Sequence, residues 1–196
     1  MEIDALRNQL SIKSKNGVSF LLAATVIWTI ITIIFIFPNE VIQKNIFMLW
    51  TVGLMFPLAV LMSKLCKAEW KSNDNPLGVL GLYLNLAQLM YFPIIFWAFA
   101  NSPEQMILFF AVITGAHFYP YGWFYNAKAY YFGAPIMSVL LVVIGWDLPL
   151  DYMWVIPLTM VGFLLILSFS LYKDYQRKKE VSEDLEPDEK NVSKEG

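Results

Sequence analysis

Thr114, His117, Tyr121 and Tyr125 recur at spacings of three, four and four. Those spacings place them on one face of a helix whose register Pro120 must distort. His117 is the only histidine of the chain. With the tyrosines around it, the imidazole makes up the ionisable chemistry of an otherwise apolar stretch, suited to holding a solute by hydrogen bonds or to packing as a bonded residue. A second set, Gly78, Gly81, Asn85 and Gln88, follows at spacings of three, four and three, within a stripe less than a quarter-turn wide. Its amides could line a polar cavity and hold a solute by donors and acceptors, or bond across a close helix contact that the glycines permit.

The elements that must position these residues are apolar. Six segments, at about residues 19–37, 46–62, 77–100, 105–124, 129–146 and 152–172, contain no Asp, Glu, Lys or Arg. Each is long enough to cross a bilayer core as a helix. The chain is 58% hydrophobic and 16% aromatic, too apolar for a soluble domain of 196 residues. The expected fold is therefore an all-α polytopic membrane protein with six transmembrane helices. Counted from Leu77 at 1.5 Å per residue, Asn85 and Gln88 lie roughly 12 and 16 Å deep, near the bilayer midplane, where an amide facing lipid is costly.

Charge gives the orientation. With the N-terminus in the cytoplasm, 13 of the 14 basic residues fall inside and only Lys44 outside, so both termini are expected to be cytoplasmic. Trp50, Trp97, Trp146 and Trp154 fall near outer ends and Trp123 near an inner one. Trp28 lies halfway along the first segment, and packing against lipid is its expected role. The organisation expected is a cytoplasmic lead over residues 1–18, the transmembrane bundle over 19–172 and a disordered charged cytoplasmic tail over 173–196. In the lead, Ile3, Leu6 and Leu10 recur at helical spacing opposite Glu2, Asp4, Arg7 and Gln9, the pattern of a short interfacial helix.

Several chemistries are disfavoured. Among the apolar segments no acid lies at membrane depth to orient His117, and neither a Ser-His-Asp set nor a paired-carboxylate set can be assembled. One histidine and one cysteine, Cys66, do not make a metal site. The balance is against an enzyme, with no catalytic residue, metal or cofactor expected. Nor does the chain carry a basic nucleic-acid surface. Tyr121, Trp123, Tyr125, Tyr130 and Tyr131 could form an aromatic box for a cation or an interfacial belt. Pro57, Pro93, Pro120, Pro135 and Pro157 should each free a carbonyl four residues earlier.

The runs Asn75-Pro-Leu-Gly78, Leu84-Asn-Leu-Ala-Gln-Leu-Met-Tyr-Phe-Pro93, Ile113-Thr-Gly-Ala-His117, Pro120-Tyr-Gly-Trp-Phe-Tyr-Asn126 and Lys128-Ala-Tyr-Tyr131 resemble an uncharacterised family of small bacterial membrane proteins. The resemblance implies a multi-pass protein of the bacterial cytoplasmic membrane and transfers no role to any residue. Two expectations of function follow from the residues. The first is binding or transport of a small solute between the third and fourth segments by Asn85, Gln88, Thr114, His117, Tyr121 and Tyr125. The second is a non-catalytic interaction protein assembling through the Gly78, Gly81 and Asn85 seam. A lipid-modifying enzyme using His117 as base is a third and weaker reading. Membrane lipids, a small solute and further copies of the chain are the partners these readings call for.

Overall fold

A computed structural model describes residues 2–72 and 74–192, with side chains described as far as Asp184. Among the described residues all regular structure is helical. The elements are α1 (Ile3–Lys13), α2 (Val18–Ile36), α3 (Val41–Gly53), α4 (Met55–Leu65), α5 (Gly78–Ala87), α6 (Phe92–Asn101), α7 (Met106–His117), α8 (Tyr119–Phe124), α9 (Lys128–Gly145) and α10 (Val155–Val192). Short 3₁₀ turns join several of them, at Lys15–Gly17, Gln88–Tyr91 and Leu150–Tyr152.

Five stretches are long and apolar enough to cross a membrane: Lys15–Ile36, Gly78–Asn101, Met106–Phe124, Lys128–Gly145 and Leu150–Asp184. The pair α3 and α4 meets the same measure together but bends by 44° at its junction, so the spans number up to six if the pair is one. This is the pattern of a multi-pass membrane protein.

Three of the five prolines account for breaks. Pro57 follows the bend between α3 and α4, Pro93 lies at the start of α6, and Pro120 at the start of α8. The ring of each cannot accept the preceding turn's geometry, and the chain resets within a few residues. At Pro93 the Leu89 carbonyl does not go unbonded, since the Phe92 N–H takes it in the 3₁₀ turn. The other two prolines break no helix. Pro135 is carried inside α9, and Pro157 sits in the first turn of α10, where a missing N–H costs nothing.

The core runs along α2 and α10. On α2, Leu21, Ala24, Trp28, Ile31 and Phe35 repeat at three, four, three and four residues and are buried. On α10, Met160, Leu164, Leu167 and Leu171 repeat at four, three and four and are buried as well. Such stripes let two helices interlock at a shallow crossing angle. Against lipid this contact is favoured by close packing rather than by removal from water. Trp28 belongs to the stripe: it is buried and stacks on Phe110 of α7, with ring centroids 5.4 Å apart. The expectation that Trp28 packs against lipid is thereby corrected, because α2 is a central helix of the bundle.

At the two ends of the chain, α1 packs on the end of the bundle with Leu10 fully buried, while Ile3 remains exposed. The last helix does not stop at Tyr172. It continues as one helix to Val192, and Asp174 and Lys178 of this extension are bonded into the bundle, so the first part of the expected tail is a structural element. Residues 193–196 of that tail lie outside the described residues.

Candidate functional site

The six residues singled out from the sequence do not converge on one cavity. Gln88 and Thr114 meet: the amide Nε2 donates to the threonine Oγ1 at 3.3 Å, and the threonine hydroxyl donates to the Phe110 carbonyl at 2.8 Å. His117 Nε2 lies 3.5 Å from the Tyr121 hydroxyl, one turn along the same helical path. Tyr121 and Tyr125 stack on one another at 6.0 Å, and Tyr130 packs against both at 5.9 and 6.2 Å. Asn85 stands apart. Its Nδ2 donates 2.8 Å back to the Gly81 carbonyl of its own helix, and the residue is exposed on the side of α5.

The aromatic box is likewise not assembled. Tyr121, Tyr125 and Tyr130 pack against each other and are buried in the core. Trp123 lies elsewhere, with the Arg7 guanidinium 5.0 Å from its ring centre, so the chain itself supplies that cation. Tyr131 meets Tyr119 edge-on at 5.4 Å.

The glycine seam is also occupied from within. A Cβ added at Gly81 would come within 2.9 Å of the Phe124 ring of α8, and one at Gly78 would collide with the Ser72 carbonyl. These glycines let α5 approach its own bundle, so the seam made of Gly78 and Gly81 is not free for a partner. Two surface grooves elsewhere are lined by Val142–Pro149 residues, about 480 Å³, and by Ile46, Leu49, Trp50 and Gly53, about 230 Å³. Neither includes any of the six residues. No group of three metal-ligating side chains occurs among the described residues.

The strongest polar cluster lies instead at the end of the bundle where α1, the turn 125–127 and the extension of α10 meet. Lys15, Asn16 and Gly17 all have left-handed backbone, with φ of 49, 55 and 75°. That reversal turns the chain from α1 into α2 and pushes Asn16 into full burial. Asparagine tolerates this conformation better than most residues, and glycine adopts it freely. Asn16 Nδ2 donates to the Leu171 carbonyl at 2.9 Å and to Asp174 Oδ2 at 3.1 Å, while its Oδ1 accepts from Ser11 and its backbone carbonyl accepts from the Tyr130 hydroxyl.

Lys178 closes the cluster. Its Nζ lies 2.7 Å from Asp174 Oδ2 and donates to Ser11 Oγ and to the carbonyls of Tyr125 and Asn126 at 2.9–3.0 Å. Burial lowers the Lys178 pKa from the ordinary lysine value, and the Asp174 carboxylate opposes that shift. One turn before Ser11 on α1, Arg7 Nε donates to the Trp123 carbonyl at 2.6 Å, and Asn75 Nδ2 donates to the Leu6 carbonyl and Gln9 Oε1 at 2.9 and 2.8 Å. The chemistry of this cluster is attachment: it holds donors to acceptors, with the Lys178 amine committed to Asp174, Ser11 and two backbone carbonyls. Its signals in the sequence were the Asn16-Gly17 turn dipeptide and the Asp174/Lys178 spacing of four.

A family model matches residues 3–174, most of the chain. The chain belongs to the family of unknown function DUF7010. The matched span begins with α1 and ends at Asp174, so it takes in the first four of the five long apolar stretches, the α3–α4 pair, and the last stretch as far as the first acidic residue of the terminal cluster. No curated protein matches the chain. No solved structure matches it either.

Proposed function

We propose that this DUF7010 protein is a non-catalytic interaction protein of the bacterial cytoplasmic membrane, which binds another transmembrane helix on the outer face of α5 and α6. The observation that carries the reading is Asn85. Across Gly78–Asn101 only Ile95 and Ala98 are fully buried, so this helix lies at the rim of the bundle and turns most of its surface outward. Asn85 lies on that outward side with its carbonyl oxygen unbonded among the described residues. Hydrocarbon offers such a group no partner, whereas another helix does.

A topology of six spans with both termini cytoplasmic fits this proposal. It is supported by the one-sided lysines and arginines and by the meeting of α1, the 66–77 loop, the turn 125–127 and the α10 extension at one end. In that arrangement α1 is a brace on the bundle, and Lys64, Lys67, Lys71 and Lys128 are exposed where lipid headgroups lie.

Solute binding between α5 and α7 has less support, since it needs the Gln88 and Thr114 contact to part and a cavity to open beside His117. A lipid-modifying activity would need a second catalytic group beside His117, and among the described residues the polar side chain within hydrogen-bond reach of it is Tyr121. The test of the interaction reading is photo-cross-linking in native membranes from a benzophenone side chain at Leu82 or Leu89. Protein adducts at these sites, absent at Val139 on the exposed face of α9, support it; lipid adducts alone at all three sites overturn it.

A further inference from the structure

We infer that the helix bound on this face is α5 of a second copy of the same chain, with the two Asn85 amides paired across a twofold axis normal to the membrane. The inference rests on the interaction reading and names its partner.

Leu82, Asn85, Leu86 and Leu89 fall within about 100° of one another on the helix. All four are exposed, the three leucines by 55, 43 and 51%. The face is thus an apolar strip with one amide on it. The Asn85 amide has one N–H committed to the Gly81 carbonyl, which leaves its second N–H and its carbonyl oxygen for a partner. A primary amide with one free donor and one free acceptor is complementary to itself.

Membrane geometry then selects the partner. Two copies inserted in the same sense can be related only by an axis along the membrane normal, and such an axis puts equal residues at equal depth. Asn85 lies seven residues after Gly78, about 10 Å along the helix, and in the second copy it stands at the same level. A symmetric pair therefore matches amide to amide with no further requirement, and both free groups are satisfied reciprocally. A different protein would need its own polar group at that depth and on that face. A single asparagine within an apolar strip also fixes the register of a helix pair, because a slip of one turn buries both amides without partners.

The contact differs from the glycine seam, since Gly78 and Gly81 already face Ser72 and Phe124 within one chain. The wide aromatic and leucine surface beside the strip stays in contact with lipid.

The experiment uses the full chain in native membranes, with Cys66→Ser removing the one native thiol. With Asn85 kept in place, Leu82→Cys and Leu86→Cys are each expected to form a disulfide-linked species of twice the 22.6 kDa chain mass on mild oxidation, while Val139→Cys stays monomeric. In the unmodified chain, Asn85→Leu is expected to weaken self-association in lipid by about tenfold, the loss of two interhelical amide bonds, and Asn85→Gln to restore part of it. Asn85 is exposed and bonds only within its own helix, so these variants keep the fold, which near-ultraviolet circular dichroism checks. Failure of 82 and 86 to cross-link, or self-association indifferent to Asn85→Leu, overturns the second copy as partner. If Leu82 and Leu89 then still give photo-adducts with a different protein, the interaction reading stands and only its partner changes. If they give lipid alone, both fall.

Discussion

Replacing Asn16 tests how the ends of the chain are held. Asn16→Ala removes three side-chain hydrogen bonds, from Ser11 and to Leu171 and Asp174, inside a fully buried site. A typical buried hydrogen bond contributes about 1 kcal/mol net, and a donor or acceptor left without a partner costs about 1–3 kcal/mol. The Leu171 carbonyl lies inside a helix and Asp174 keeps Lys178 and Arg177, so the groups left behind are partly served. Alanine must also hold φ near 55°, which costs about 1 kcal/mol more than asparagine or glycine does there. The sum is about 2–4 kcal/mol for Asn16→Ala. Asn16→Gly loses the same bonds without the backbone penalty and should be milder by about 1 kcal/mol. Reversible unfolding in mixed micelles, followed by circular dichroism, reads both values. A loss below about 0.5 kcal/mol for Asn16→Ala, or Asn16→Gly as damaging as Asn16→Ala, would refute the assignment of Asn16 as the strained, bonded centre of this junction.

Two further substitutions probe the same framework. Lys178→Met leaves the Tyr125 and Asn126 carbonyls without their donor and should cost about 1–3 kcal/mol in the same unfolding assay, with faster proteolysis of the α10 extension; an unchanged protein would mean the extension is not anchored there. Gly78→Ala drives a methyl into the Ser72 backbone carbonyl, so α5 or the loop before it must shift. A loss of about 1–3 kcal/mol is expected for such overpacking, and a neutral result would show that the two segments do not touch.

The apolar architecture was legible in the sequence because lipid imposes a simple rule: charge-free stretches of sufficient length become helices. All six apolar segments are found as helices or helix pairs, with a bend just before Pro57 and new helix starts at Pro93 and Pro120. Which face of each helix turns inward was much less legible. The moments are small because lipid-facing and core-facing residues are both apolar, so Trp28 looked like a lipid contact although it stacks on Phe110.

The candidate site was read in part. Gln88 and Thr114 do meet across two helices, and Tyr121, Tyr125 and Tyr130 do cluster, yet the cluster satisfies itself. Spacing along one helix locates a residue's face but not the neighbour opposite, and Phe124 rather than a foreign helix covers Gly81. The polar junction around Asn16 was missed for a different reason. It joins residues more than 150 positions apart, and Lys178 belongs by composition to a charged tail. Only the fold brings these ends together.

The central claim is that the outer face of α5 contacts protein within the membrane. Its most direct measurement is the photo-adduct pattern at Leu82, Leu86 and Leu89, compared with Val139 and Val143 on α9, in membranes at native expression. The account predicts protein adducts at the three α5 sites, reduced by Asn85→Leu, and lipid adducts on α9. Lipid adducts with equal yield on both helices, indifferent to Asn85→Leu, would contradict it.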